Sequence, residues 1–362
     1  MNSIPRCVLL LQSASKTEST YKTYIYNLDR FRKYFKIKDF ESLLRIETSK
    51  INQMIEDWLM YLTKRVSPNS IPTMYYGVEL FFSMNDVLLN FKKLRRLLPS
   101  KVKKSGAKPW KTDDIKAMLD STKYRRDKAL IHFLASTGVR IGSIKGLKID
   151  HVINMPENCK AVFVYAGDKE EYWTFLTPEA SKALDKYFEE RINDGEKLNP
   201  KSPVFRTLYG SKNIHLPKPM EVMSARSVIY RCVRTAKIQR EKQGFAYDVQ
   251  TDHGFRKRFN TILKLDNNLN SNIAEKLMGH KRGLDGVYFQ PTREQCFEEF
   301  KKAILELTID ESLKLKSELE LQKKKNMENF DKDRIIVNLE NRLDNTEKLL
   351  FEIKKRFDLQ AT

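Results

Sequence analysis

Long apolar runs are absent from this sequence. No stretch approaches the roughly 18 consecutive apolar residues that a membrane-spanning helix needs. The run Val8–Leu11 is too short for the core of a secretory signal. These absences exclude a helical membrane anchor and point to a cytoplasmic, or at least intracellular, protein with no membrane partner. Cysteine is scarce and scattered: Cys7, Cys159, Cys232 and Cys296 are the four, and none pairs with another at metal-ligand spacing. A disulfide framework and a cysteine zinc site are excluded, and free thiols in a reducing compartment are expected. Acidic residues are in deficit, 47 against 67 Lys and Arg, for a net charge of +20. They form no cluster of the kind a two-metal nuclease requires. A balance this basic suits a polyanionic partner.

What is present is ample for folding. The 362 residues are 41% hydrophobic, enough for two or three domains with real cores. Residues 1 to about 14 read as an irregular arm. From Thr17 to Phe35, Tyr24, Leu28, Phe31 and Phe35 fall on one helical face. A second helix, capped by Ser49, turns Ile51, Ile55, Trp58 and Leu62 inward. Ser70 and Pro72 start a third.

The stretch from Lys92 to Lys111 then carries nine basic residues and no acidic one. They are Lys92, Lys93, Arg95, Arg96, Lys101, Lys103, Lys104, Lys108 and Lys111. Pro99, Gly106 and Pro109 break regular structure there, so the run reads as a domain boundary and as a basic strap across a duplex. The expected division is a helical DNA-binding domain over 1–98, a linker over 99–111, a catalytic domain over 112–305 and a helical tail over 306–362. In the tail, Ile336, Leu339, Leu343, Thr346, Leu350, Ile353 and Phe357 make a short heptad seam, which predicts a coiled coil.

The chemistry is concentrated between Thr251 and Tyr288. His253 and Arg256 stand three residues apart at the predicted start of a helix. A second helix starts at Ser271 and stops at Gly279, so His280 follows the stop directly. Tyr288 comes eight residues later. Arginine grips phosphate oxygens with a planar fork and keeps its charge. Histidine moves a proton near neutral pH. A tyrosine oxygen can be a nucleophile once its ionisation is helped. The set reads as attack by tyrosine on a phosphodiester. Upstream, Arg140 follows a Thr-Gly turn at the start of a short helix. Two β-prone runs, Ala161–Tyr165 and Tyr172–Phe175, form a hairpin with Gly167-Asp168 as its turn signal and Lys169 near its tip.

Together these pieces resemble the tyrosine recombinase, or integrase, family of the phage, archaeal and Xer-like kind. Its signature is an Arg, a hairpin Lys, His-x-x-Arg, a His or Trp, and a Tyr. The resemblance runs from about Thr17 to Ile304. It implies a mainly α fold, with a small all-α core-binding domain and a mostly helical catalytic domain holding a small sheet. It implies catalytic roles for Arg140, Lys169, His253, Arg256 and His280, with Tyr288 as nucleophile. The implied reaction is site-specific cleavage and rejoining of duplex DNA through a 3′-phosphotyrosine, with no metal, ATP or other cofactor. The implied partners are double-stranded DNA and further copies of the chain, as a dimer or tetramer. Relaxation of the type IB topoisomerase kind and non-catalytic DNA binding are the alternatives. Two positions depart from the family's pattern: Lys257 stands where many members have His, and Ser143 where an acidic residue is common.

Overall fold

Helical spacing of apolar residues organises the first part of the chain. In the computed structural model, residues 4–102, 108–210, 213–244, 246–265, 268–280 and 288–316 are described, with residues 318–320, 322, 323, 326 and 346 beyond them. The chain forms two compact units, Met1–Ser105 and Gly106–Thr362.

In the first unit the expected irregular arm is a helix, α1 (Arg6–Ala14). Cys7, Val8 and Leu11 share one face and are buried, so apolar burial orders a segment with no capping side chain. Next comes α2 (Glu18–Tyr34), started by the Thr17 hydroxyl, which accepts from the Thr20 amide at 3.1 Å. The short α3 (Phe40–Leu44) leads to α4 (Thr48–Thr63), which begins one residue before the predicted Ser49 cap. Helix α5 (Ile71–Met84) carries Pro72 in its first turn. The core centres on Phe31, whose ring meets Trp58 at 5.2 Å and Phe82 at 6.4 Å between centroids, both edge-on.

The basic run does not open as a strap. Its first part is a helix, α6 (Phe91–Arg96), capped by Asn90, which accepts from the Lys93 amide, and anchored by buried Leu94. Two of its cations already have carboxylate partners: Lys93 meets Glu56 at 2.5 Å, and Arg95 pairs with Glu79. Lys92, Arg96 and Lys101 are exposed. Lys103 and Lys104 lie outside the described residues, as do all the predicted heptad positions except Thr346.

The second unit is pinned at its start by Trp110. Its indole N–H donates to the Thr251 carbonyl at 2.9 Å, and its ring packs on Phe255. Helices α7 (Thr112–Asp120) and α8 (Arg125–Thr137) follow, then a 3₁₀ turn over Ile141–Gly146. Strands β1 (Val152–Asn154), β2 (Lys160–Val164) and β3 (Tyr172–Leu176) make an antiparallel sheet in that order, with Val164 opposite Tyr172. Only the β2–β3 hairpin was legible in the sequence. Strand β1 is three residues long and half exposed, with no alternation to read.

Helices α9 (Pro178–Asn193), α10 (Val222–Thr235), α11 (His253–Leu265), α12 (Ser271–Leu277) and α13 (Arg293–Leu307) follow, with a two-residue strand pair, Lys242–Gln243 against Ala246–Tyr247, between α10 and α11. The turn-rich stretch between α9 and α10 is held by a buried ionic knot. Glu196 accepts from Arg191 at 2.6 Å and from Arg206 at 2.5 Å. All four cysteines are buried free thiols. No helix of the described residues is long and apolar enough to cross a membrane.

Helix α8 ends at Gly138, in the left-handed conformation with φ +57°. A Cβ there would come within 2.6 Å of the Phe259 side chain of α11. Gly138→Ala therefore combines backbone strain with overpacking, and should lower stability by about 2 kcal/mol or more, read from the urea midpoint.

Candidate active site

Arg256 is the best-fixed of the sequence-predicted residues. It lies in the first turns of α11 and is only 8% exposed. One Nη1–H donates to the Gly138 carbonyl at 2.8 Å, at the end of α8. Its Nη2 donates to the Met278 carbonyl at 2.5 Å, at the end of α12, and to His280 Nε2 at 2.8 Å. A guanidinium has five N–H donors, so at most two remain for a ligand. Burial lowers the Arg256 pKa, and the nearby Arg140 charge adds to the effect, partly offset by the Tyr172 hydroxyl. The group stays a cation at neutral pH.

His280 is placed by a turn rather than by a helix. Met278 caps the end of α12, and Gly279 turns left-handed at φ +62°. The glycine is required twice over, because a Cβ there would press into the Tyr172 ring, 2.5 Å from one of its carbons. The backbone N–H of His280 then donates to the Glu275 carbonyl at 2.9 Å. Its imidazole Nδ1 lies 2.5 Å from the Glu275 carboxylate, which also pairs with Lys264 of α11. Burial lowers the His280 pKa most. Glu275 opposes that shift, and Arg256 and Arg140 reinforce it. Glu275 itself stays below its usual range despite burial, because Lys264 and His280 stabilise its charge.

Arg140 precedes the 3₁₀ turn and is exposed. Its carbonyl accepts from the Ser143 amide at 2.9 Å and from the Ser143 hydroxyl at 2.8 Å. Ser143, at the position where an acidic residue was the commoner expectation, therefore pins the backbone that carries Arg140. The Arg140 charge acts on Arg256, His280, Tyr165 and Tyr172, so the two arginines and His280 form one electropositive cluster.

The hairpin supplies the adjoining wall. Two successive turns join its strands: the Asp168 amide donates to the Tyr165 carbonyl at 2.8 Å, and the Glu171 amide to the Asp168 carbonyl at 3.0 Å. Lys169 sits in the second turn. It lines a cleft of about 590 Å³ together with Tyr172, Trp173, Gly279 and His280. Tyr165 adopts a left-handed φ of +56°, costly for an aromatic residue, and is half buried toward Arg140 and Arg256. The Tyr172 hydroxyl is buried with no hydrogen-bond partner in good geometry.

His253 begins α11 and is exposed, in contrast to Arg256 one turn later. Tyr288 is 79% exposed. Residues 281–287, which join it to His280, lie outside the described residues. The structure thus brings Arg140, Arg256 and His280 into one cluster with Lys169 on the neighbouring wall, while His253 and Tyr288 face solvent. Lys108 is paired with Asp248 at 3.1 Å, and Lys111 is exposed.

Glu275, Lys264, Tyr165 and Tyr172 were not foreseen. For Glu275 a signal existed. A residue four places before a left-handed glycine lies over the end of its helix, on the side to which the chain returns after the stop. Nothing in the sequence marks the other three.

The model of the phage integrase family matches residues 110–284. No curated protein sequence matches the chain. Among solved structures, the XerH site-specific recombinase bound to difH substrate, in a pre-cleavage complex, is 17% identical with a TM-score of 0.53, covering 78% of this chain and 80% of its own. A lambda integrase tetramer bound to a Holliday junction is 15% identical with a TM-score of 0.53, covering 79% and 75%. The Tn1549 transposon integrase in complex with transposon right end DNA is 15% identical with a TM-score of 0.51, covering 82% and 98%. At these identities the likeness is one of fold.

Arg256 satisfies two backbone carbonyls 22 and 118 residues away from it. Arg256→Ala should therefore cost about 2–4 kcal/mol of stability in urea unfolding, on top of any effect on activity, since hydrogen bonds to charged groups contribute about 1.5–3 kcal/mol each.

Proposed function

Because residues 110–284 belong to the phage integrase family, the tyrosine recombinases, we propose that this chain is a site-specific DNA recombinase. It cuts and rejoins duplex DNA through a 3′-phosphotyrosine on Tyr288. The observation that carries the reading is the joining of Arg140, Arg256 and His280 into one electropositive cluster, beside a cleft that Lys169 lines together with Asp168 and Glu171. Such a cluster is destabilised by its own charge and is relieved by an anion.

In this reading the scissile phosphate lies against the two arginines, which neutralise its non-bridging oxygens and the charge that builds in the transition state. Tyr288 Oη attacks phosphorus. The 3′ side of the strand becomes linked to Tyr288, and the bond to the 5′ oxygen breaks. Lys169 gives that oxygen its proton, an ammonium being a mobile acid. His253, exposed at the start of α11, assists removal of the tyrosine proton. The phosphotyrosine keeps the energy of the broken bond, so attack by a 5′ hydroxyl reseals the strand without ATP. Duplex DNA is the substrate, and several copies of the chain assemble on it. The basic surface of both units, +20 in total, favours that assembly. The domain roles follow: the helical unit grips DNA, and the second unit performs the chemistry.

The test is a trap for the covalent intermediate. Nicked, randomised duplexes are incubated with the protein and stopped in SDS. Wild type should yield an SDS-stable adduct whose nucleotide maps to the Tyr288 peptide. Tyr288→Phe should yield none, and Arg140→Ala should slow adduct formation by roughly 10²–10³. An adduct that survives in Tyr288→Phe would refute the choice of nucleophile.

A further inference from the structure

The hydrogen bonds around His280 fix where its proton sits. Arg256 Nη2 can only donate, so His280 Nε2, 2.8 Å away, must be the acceptor. The single proton of the neutral ring is then on Nδ1, donated to Glu275 at 2.5 Å. In this arrangement His280 has nothing to offer an anion. A phosphate oxygen approaching Arg256 would meet the Nε2 lone pair, and the two would repel. Protonation of Nε2 turns that repulsion into a hydrogen bond.

We propose that Glu275 is a positioning residue for the reaction: it holds His280 as the Nδ1–H tautomer, with Nε2 on Arg256, and supplies the counter-charge that lets His280 take up one proton as the phosphate enters. The proton comes from solvent, and no covalent bond changes in the step. Charges then alternate along one line, from the Lys264 ammonium to the Glu275 carboxylate, the His280 imidazolium and the phosphate. The groups facing His280 fix the sign of the pH effect. Arg256 from α11 and Arg140 from the turn after α8 oppose protonation in the free protein, and Glu275 on its own segment favours it. Across the cleft stand Tyr172 and the hairpin residues Asp168, Lys169 and Glu171, with Lys276 beside Glu275. A bound anion cancels the opposing arginine charges and leaves Glu275 in control.

The inference rests on reading the cluster as a phosphate site, and its test avoids cleavage so that the two fail separately. The five histidines are labelled with ¹⁵N in the full chain, and His280→Ala assigns the signal. Sulfate serves as probe, a tetrahedral oxyanion that does not titrate near neutral pH. Free wild type at pH 7.5 should show His280 neutral with its proton on Nδ1. With sulfate bound, reported by the Arg256 guanidinium resonance, both ring nitrogens should be protonated. Glu275→Gln can still accept from Nδ1, so it should keep the tautomer but leave the ring neutral with sulfate bound. In the adduct assay, Glu275→Gln should move the alkaline limb of the pH–rate profile to lower pH and slow the reaction about tenfold at pH 7.5. An Nε2–H tautomer in the free protein, or a ring that stays neutral with sulfate bound to wild type, would overturn the proposal whatever the adduct assay gives.

Discussion

A buried guanidinium must find acceptors, and that need organises the second unit. Arg256 gathers the end of α8 through Gly138, the end of α12 through Met278, and the His280 ring. The two carbonyls lie where a helix has run out of amide donors, so one side chain satisfies groups that would otherwise be orphaned. Burying a charge is costly unless it is paired or fully hydrogen-bonded. Here the cost is offset by bonds that also fix the spacing of three elements.

The electrostatics follow from that geometry. Arg140 stands close enough to Arg256 to lower its proton affinity, and both lower that of His280. Tyr165 and Tyr172 wall the cluster with rings whose hydroxyls are held in the neutral form mainly by burial. A buried cation, Arg256, beside an exposed one, Arg140, is raised in energy by the like charge. An oxyanion between the two would relieve that repulsion, which is the charge relation the proposed function draws on.

Surface charge was harder to read than site charge. The run from Lys92 to Lys111 looked in the sequence like one basic strap, yet it divides. Lys93, Arg95 and Lys108 each meet a carboxylate, from Glu56, Glu79 and Asp248 respectively. Those partners lie 37, 16 and 140 residues away along the chain. Counting like charges in a window cannot see them. Lys92, Arg96, Lys101 and Lys111 remain exposed. The same blindness hid α1, whose apolar face has meaning only once α5 is there to cover it.

Local signals by themselves determined the helix start at Thr17, the stop at Gly279, and the β2–β3 hairpin. Each depends on side-chain and backbone chemistry within a few residues. They also named the residue set Arg140, Lys169, His253, Arg256, His280 and Tyr288, because its chemistry is carried by residue type and order. Tertiary structure alone decided that Arg256 turns inward while His253, three residues before it on the same helix, stays in solvent. It alone brought Glu275 and Lys264 behind His280, and Tyr172 against Gly279. These outcomes depend on acceptors and rings supplied by distant segments, and a periodic pattern records which face is apolar but not which partner that face will meet.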